Sequence, residues 1–555
     1  MRSALAAVPR AAWIASATLL ALALVPTDAY ASRFAHPLRV ELMEGRIPEA
    51  TVFGAQCFRG ALAAAAALIP LLAWRLRAAC APGTRPARGV SATEAERRLL
   101  LATVALGAAI RIAFASESLW YDEISAFLSF AIEGPGVAFG SYTVPTNHVP
   151  MTLAMWAVFA VTGSLSELAL RMPAIAAGVA TVPVAFALGA TILNRRAGLV
   201  MALAAAVAPV AVVESVEARG YAFVVLASTL AALFLARAAK TGAMRDFVCL
   251  ALALAFAAWS HPVAILLAVS VGVVGLARDR RLALAALLAG VIAAVLLSPL
   301  VGDILSTRAS YARTSGDQPA VFSREGLEAI AGLSLSWSVL PSNPWDFVLP
   351  NPILAVLAAA GFLALCRGRA PRLRRARAAA LPFAIAFVGA FILALAAGTW
   401  IYARFLLFAV PLSFLAVAIG ARRIRWGAAL VVAGSALSLP FAFTKQPIRD
   451  AVAFVAAKRA PEDRVATIGL PDNAVGFYAG QFGFPARATG FLGDGLAAVL
   501  AEDEPRFVIA LYPDRIEPEI LRLLDEGYDR TQRLEGWADW GAGAVEVWTR
   551  AGSTR

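Results

Sequence analysis

Two adjacent carboxylates, Asp122 and Glu123, stand in the stretch Ser118-Leu-Trp-Tyr-Asp-Glu-Ile-Ser-Ala-Phe127, directly after a hydrophobic run. An acid costs about 2.5–3.5 kcal/mol at the centre of a spanning helix, so this pair belongs at a membrane interface or in a cavity. Placed there, a carboxylate can accept the proton of an attacking hydroxyl or amine, which makes Asp122 and Glu123 the candidate catalytic pair. A small set of polar and aromatic residues recurs at the same depth: Asn147-His148, Glu214, Glu217-Ala-Arg219-Gly-Tyr221, His261 and Trp400-Ile-Tyr402-Ala-Arg404. Arginines there can grip a phosphate through paired, charge-assisted hydrogen bonds, and aromatic rings can stack on a sugar. The set suits transfer of a group from a lipid-linked phosphate to an acceptor hydroxyl or amine. Arg219 also has Glu217 and Glu214 close by in sequence as ion-pair partners. No cofactor is expected: Asp122 and Glu123 could touch a divalent ion, but two neighbouring acids fall far short of a coordination set.

The elements that must position these residues are read from hydropathy and charge. The chain is 60% hydrophobic and 15% charged over 555 residues, with a mean hydropathy of +0.72. That is more apolar surface than a soluble core can hide, and it falls in runs of roughly 20 residues, the length of a membrane-spanning helix. The net charge of +12 sits in short arginine clusters between the runs, which is the positive-inside pattern and not a nucleic-acid surface. The four cysteines, Cys57, Cys80, Cys249 and Cys366, have no metal-ligand spacing and form no disulfide framework.

Arginine clusters at 75–98, 195–196, 237–245, 278–281, 367–377 and 422–425 mark alternate loops. With about 20 residues per pass this gives roughly thirteen spans, the last at about Trp426–Phe443. The opposite, outer loops are then 116–171, 214–221, 260–261, 303–345 and 399–404. Val149–Thr162 is expected as an interfacial helix, and Phe247–Leu276 as two spans meeting at Ser260-His261-Pro262, where the proline breaks the helix. Residues 1–31 read either as a retained first span or as a cleaved signal, since Ala29-Tyr30-Ala31 has the small-x-small form.

The expected fold class is an all-α polytopic membrane protein with a small C-terminal soluble α/β domain. The boundaries are 1–98 for the N-terminal spans and basic linker, 99–443 for the main membrane domain and 444–555 for the soluble domain. In the last, Val465–Leu470, Arg506–Tyr512 and Ala544–Thr549 read as strands and Pro447–Ala460 and Pro518–Tyr528 as helices.

The acidic pair, the Asn-His-Val-Pro segment at 147–150, the Glu-Ala-Arg-Gly-Tyr turn, the Ser-His-Pro break and the Tyr-Ala-Arg-Phe-Leu-Leu-Phe-Ala-Val-Pro start of a late helix together resemble the GT-C glycosyltransferases. The groups concerned are the protein O-mannosyltransferase-like, aminoarabinose-transferase-like and rhizobial lipopolysaccharide-transferase-like membrane enzymes, over about residues 99–420. The resemblance implies an inverting transfer of a hexosyl or pentosyl group from a polyprenyl-phosphate sugar to a lipid, glycan or protein acceptor at the outer face of a bacterial inner membrane. It also implies a metal-independent or weakly metal-linked reaction. By position it makes Asp122 the general base with Glu123 beside it. It places Arg219, Tyr221, Arg404, Tyr402, Glu217, His261 and His148 around the donor phosphate and sugar. The alternative from another class is a transporter or flippase of lipid-linked saccharides, which would show matched halves with interrupted helices near mid-membrane; the sequence shows none.

Overall fold

The computed structural model describes residues 8–80, 93–314, 337–339, 348–350, 352–397, 403–438, 445–469, 473–489, 495–536 and 543–552. Six helices are long and apolar enough to cross a bilayer by length and composition alone: Glu49–Ala79, Glu167–Ile192, Tyr221–Thr241, Arg280–Thr307, Pro371–Ala394 and Arg404–Ala421. The pair Arg10–Ala23 and Thr27–Phe34, bent by 85°, makes a seventh if it is one span. The other passes expected from the charge pattern are present as shorter or more polar helices. These are Glu94–Phe114, Arg195–Val207, Met244–Ser260, Pro262–Arg278, Ile353–Arg367 and Gly427–Leu437. These helices follow the order of the apolar runs between the basic clusters, while the length and composition of a span are met by the six or seven given first.

Local chemistry explains why the shorter ones stop where they do. Arg195–Val207 ends because Ala208 precedes a proline and takes the extended ψ of 132° that such a residue favours. Met244–Ser260 ends at His261, also extended, before Pro262 restarts the chain. At the basic end, Thr93 and Glu96 form a reciprocal capping box that starts Glu94–Phe114 a few residues earlier than hydropathy places it. Val149–Thr162 forms with the expected bounds and ends at Gly163, whose φ of 64° suits only a residue without Cβ strain.

The N-terminal helices pack tightly on the rest. A Cβ on Gly302 would fall 1.8 Å from the Ala50 carbonyl oxygen, so two backbones touch there as small residues permit in membranes. Tyr30, Phe34, Phe58 and Phe139 form a ring cluster, with Phe34 and Phe139 centroids 5.9 Å apart. Arg39 pairs with buried Asp303 at 2.7 Å, and Asp303 also accepts from the Tyr142 amide at 2.7 Å. The segment around Thr146–His148 is therefore braced from the N-terminal side.

Strands Trp337–Val339 (β1) and Val348–Pro350 (β2) form a small antiparallel ribbon. The soluble domain carries a five-stranded sheet, β3 (Val465–Ile468), β4 (Arg487–Ala488), β5 (Phe507–Leu511), β6 (Tyr528–Leu534) and β7 (Val545–Arg550), in the order β4-β3-β5-β7-β6. The β3 strand is parallel to β4 and β5; β7 is antiparallel to β5 and β6. Alternate residues serve two cores. Val465, Phe507, Ile509, Val545 and Val547 pack with Ile448, Val452 and Tyr478, and through them with Leu119, Ile124 and Phe127 of the membrane part. Ala466, Val508, Ala510 and Trp548 pack with Leu496 and Leu524 on the other face. The expected helix Pro518–Tyr528 stops at Asp525, and the chain turns into β6, which hydropathy missed. As an edge strand with Asp529, Arg530 and Arg533, β6 shows little apolar alternation.

Candidate functional site

The acidic pair starts a short helix, Tyr121–Ala126, followed by a π-turn at Phe127–Ala131. Its N-cap residue is Trp120, which has no oxygen to offer the free amides, so Glu123 reaches back and accepts from the Trp120 amide at 3.1 Å. Both oxygens of Glu123 also meet Arg171, at 2.9 and 2.7 Å, and the Ala218 amide donates to the same carboxylate. Arg171 spends its remaining donors on the Ala115, Glu117 and Ser118 carbonyls. Glu123 is thus 1% exposed and fully engaged. It ties three segments together, its acceptor positions being taken up by the Trp120 and Ala218 amides and the Arg171 guanidinium.

Asp122 faces the other way. Its side chain keeps 14% of its surface exposed and lies 3.2 Å from the guanidinium of Arg219, which also donates to the Thr146 carbonyl at 3.1 Å. Arg219 therefore pairs with Asp122 and not with its sequence neighbours Glu217 and Glu214. The guanidinium stands 5.6 Å from the centre of the Tyr221 ring, and Tyr221 meets His148 edge-on at 4.8 Å. His148 in turn contacts the Ser260 carbonyl through Nδ1 at 3.1 Å, and His261 lies 5.4 Å from it, between Tyr221 and Phe405. Gly220 makes this closeness possible, since a Cβ there would come within 2.7 Å of both His148 Nδ1 and the Ser260 carbonyl oxygen. Burial beside Arg219 holds both imidazoles below their ordinary range, His261 down to about 3, so they are neutral hydrogen-bonding groups.

A second cluster adjoins the first. Trp120 is buried with two cations near its ring, Arg404 at 5.7 Å and Lys445 at 4.5 Å from the ring centre. Lys445 forms an ion pair with Glu217. Glu214 is close enough to feel Glu217, Lys445, Arg404 and Arg219; burial first and Glu217 second push its carboxyl up to about 7. Among the described residues, the buried polar atoms Trp120 Nε1, Glu214 Oε2, Asn147 Oδ1 and His261 Nδ1 have no hydrogen-bond partner. Buried polar atoms of this kind are satisfied by ordered water or by a ligand, so they line the cluster with hydrogen-bonding groups. Among the described residues no three of His, Cys, Asp and Glu converge as metal ligands would.

Comparison with known proteins gives this arrangement a context. Residues 147–312 match the family model described as dolichyl-phosphate-mannose-protein mannosyltransferase. The apo structure of ArnT from Cupriavidus metallidurans superposes with a TM-score of 0.50 at 14% identity, covering 82% of this chain and 98% of that one. The chain has the GT-C fold. The ArnT structure bound to undecaprenyl phosphate gives 0.48 at 14% identity, over 83% and 99% of the two chains. The archaeal oligosaccharyltransferase AglB from Archaeoglobus fulgidus, in complex with an inhibitory peptide and a dolichol-phosphate, gives 0.46 at 12%, over 76% and 69%. No curated protein sequence matches.

Within this GT-C chain, Asp122, Arg219, Tyr221, His148, His261, Glu217 and Arg404 come together as expected from sequence, and Glu123 joins them as a brace. Tyr402 lies outside the described residues, as does most of the loop 303–345. Sequence reading passed over Arg171, Trp120 and Lys445. Lys445 carried a usable signal, being one of three lysines in a chain whose positive charge is otherwise arginine. Arg171 carried none, because its partner is 48 residues away and only packing joins them.

The raised carboxyl of Glu214 has a consequence for stability. A group held near 7 in the folded chain against about 4.5 when unfolded favours folding below 4.5, and that contribution is lost as pH rises through 7. Glu214→Gln is expected to remove this loss, so that between pH 5 and pH 8 the unfolding temperature falls less than in the wild type. Parallel slopes for the two proteins would show that Glu214 titrates normally.

Proposed function

We propose that this chain is a membrane glycosyltransferase that moves a sugar from a polyprenyl-phosphate donor to an acceptor hydroxyl or amine at the outer face of a bacterial inner membrane. The observation that carries the reading is the split of the acidic pair: Glu123 is locked, while Asp122 is partly open and aimed by Arg219 at a cluster with unfilled hydrogen-bonding capacity. In this reading the acceptor oxygen or nitrogen attacks the anomeric carbon and Asp122 takes its proton. The bond from that carbon to the phosphate oxygen breaks, and polyprenyl phosphate leaves with the electron pair. Attack opposite the leaving group inverts the anomeric centre.

Arg404 is the cation assigned to the phosphate, because it faces the cluster over Trp120. His148, His261 and Tyr221 line the sugar side as neutral hydrogen-bonding and stacking groups. The matched family's description, a sugar phosphate of dolichol as donor and protein as acceptor, supports a lipid-phosphate donor. Lipid, glycan and protein acceptors all fit the chemistry, and the C-terminal domain would lie on the periplasmic side.

Losing a hydrogen bond to a charged group costs about 1.5–3 kcal/mol, or roughly ten- to a hundredfold in binding. Arg404→Ala is therefore expected to raise the donor KM and the inhibition constant of free polyprenyl phosphate together, with a smaller change in kcat. Donor KM and product inhibition that both stay at wild-type values would remove Arg404 from the phosphate site.

A further inference from the structure

The Asp122–Arg219 pair joins two separate elements, the helix Tyr121–Ala126 and the turn that follows Glu214, and something must set the distance between them. We infer that the consecutive residues Lys445 and Gln446, at the entry to the C-terminal domain, hold these two elements in register, which makes that domain a positioning part of the transfer site proposed above. Gln446 is 1% exposed, and its Oε1 accepts from the Tyr121 amide at 3.0 Å. It supplies the cap that Trp120 cannot, since the first amides of a helix need an outside acceptor. The neighbouring Lys445 pairs with Glu217, two residues before Arg219, and lies over the Trp120 ring. One dipeptide thus grips both halves of the pair.

The rest of the domain fixes the dipeptide. Tyr478, on the helix Asn473–Gln481, accepts from the Leu119 amide at 2.7 Å and donates to Glu167 at 3.0 Å. The Arg449 amide donates to Ser118 Oγ at 3.1 Å, and its guanidinium reaches the Ser116 carbonyl at 2.9 Å and Glu167 at 2.7 Å. Residues 116–121 are therefore bonded to the soluble domain along their length, immediately before Asp122. A displacement of about 1 Å at a reacting group can cost up to a hundredfold in rate, so a brace of this kind acts on turnover more than on binding.

The test is hydrogen exchange of the amides in 118–124, measured on the full chain in detergent, alongside steady-state transfer from a polyprenyl-phosphate sugar. Gln446→Ala is expected to speed exchange at those amides by roughly fivefold. It should also lower kcat by about tenfold with donor KM within about twofold. Gln446→Glu keeps the acceptor oxygen and gives up Nε2, which has no partner among the described residues, so it should restore both readouts. Should Gln446→Ala not fold, Tyr478→Phe tests the same brace by removing only the hydroxyl that accepts from Leu119. Arg464→Ala, which breaks the exposed pair with Asp503 elsewhere in the domain, should leave exchange at 118–124 unchanged. Unchanged exchange in the Gln446 and Tyr478 variants overturns the brace, and faster exchange with wild-type kcat overturns its role in positioning. Exchange needs no substrate, so a wild-type chain that transfers no sugar counts against the transfer reading alone and leaves the brace to be decided by exchange.

Discussion

Asp122→Asn is expected to lower kcat at least a hundredfold, the usual scale for loss of a general base. The substitution keeps the shape of the side chain and leaves one oxygen to accept from Arg219, so donor KM should stay close to wild type, while the buried guanidinium left without its counter-charge lowers the unfolding temperature. Asp122 makes no other charged contact among those described, and part of its surface is open. Turnover in membranes with matched protein levels, together with a melting curve, separates the two effects. A variant that transfers as fast as the wild type would move the base elsewhere, and one whose turnover falls only in step with its folded fraction would give Asp122 a structural role.

The neighbouring acid should behave in the opposite way. Glu123 and Arg171 form a bidentate ion pair with side-chain exposures of 0% and 4%. Removing one partner of such a pair strands the other charge in a low-dielectric setting and costs about 3–5 kcal/mol. Arg171→Met and Glu123→Gln are each expected to reduce the folded fraction and lower the unfolding temperature sharply. Combining Arg171→Met with Glu123→Leu should recover much of that loss, because apolar replacement of both partners leaves no stranded charge. The recovered double variant would still lack the tie from Glu123 to the Ala218 amide, so its transfer rate should stay low. Single variants as stable as wild type would contradict the structural assignment.

These contrasts also show what could be read from the residues alone. The helical passes were legible because desolvating a charge is so costly that most arginines gather in the loops, Arg111 and Arg171 being held inside helices by full sets of acceptors, and the apolar runs between the clusters have few alternatives. The position of the site was legible for the same reason: Asp122, Glu217, Arg219, His261 and Arg404 are polar residues at the ends of apolar runs, and those ends meet. The division of labour between Asp122 and Glu123 was not legible. Adjacent residues on a helix point about 100° apart, and which one meets Arg171 depends on how Glu167–Ile192 packs against the loop before Tyr121. The domain's part was hidden for a related reason. Gln446 and Tyr478 bond to a segment more than 300 residues away and Lys445 pairs with Glu217 more than 200 residues away, and long-range pairs of that sort leave no local periodicity. Strand β6 was hidden by its own surface, since an edge strand facing water carries charge where a central strand carries valine.

The central claim, that a sugar is transferred from a polyprenyl phosphate on the Asp122 face, is tested most directly in proteoliposomes that hold the purified chain and a donor labelled in its sugar. The expected result is that label passes to an added acceptor while one polyprenyl phosphate is released for each sugar transferred. It should also depend on Asp122. Intact donor crossing the bilayer with no release of polyprenyl phosphate would contradict the claim and make the chain a transporter.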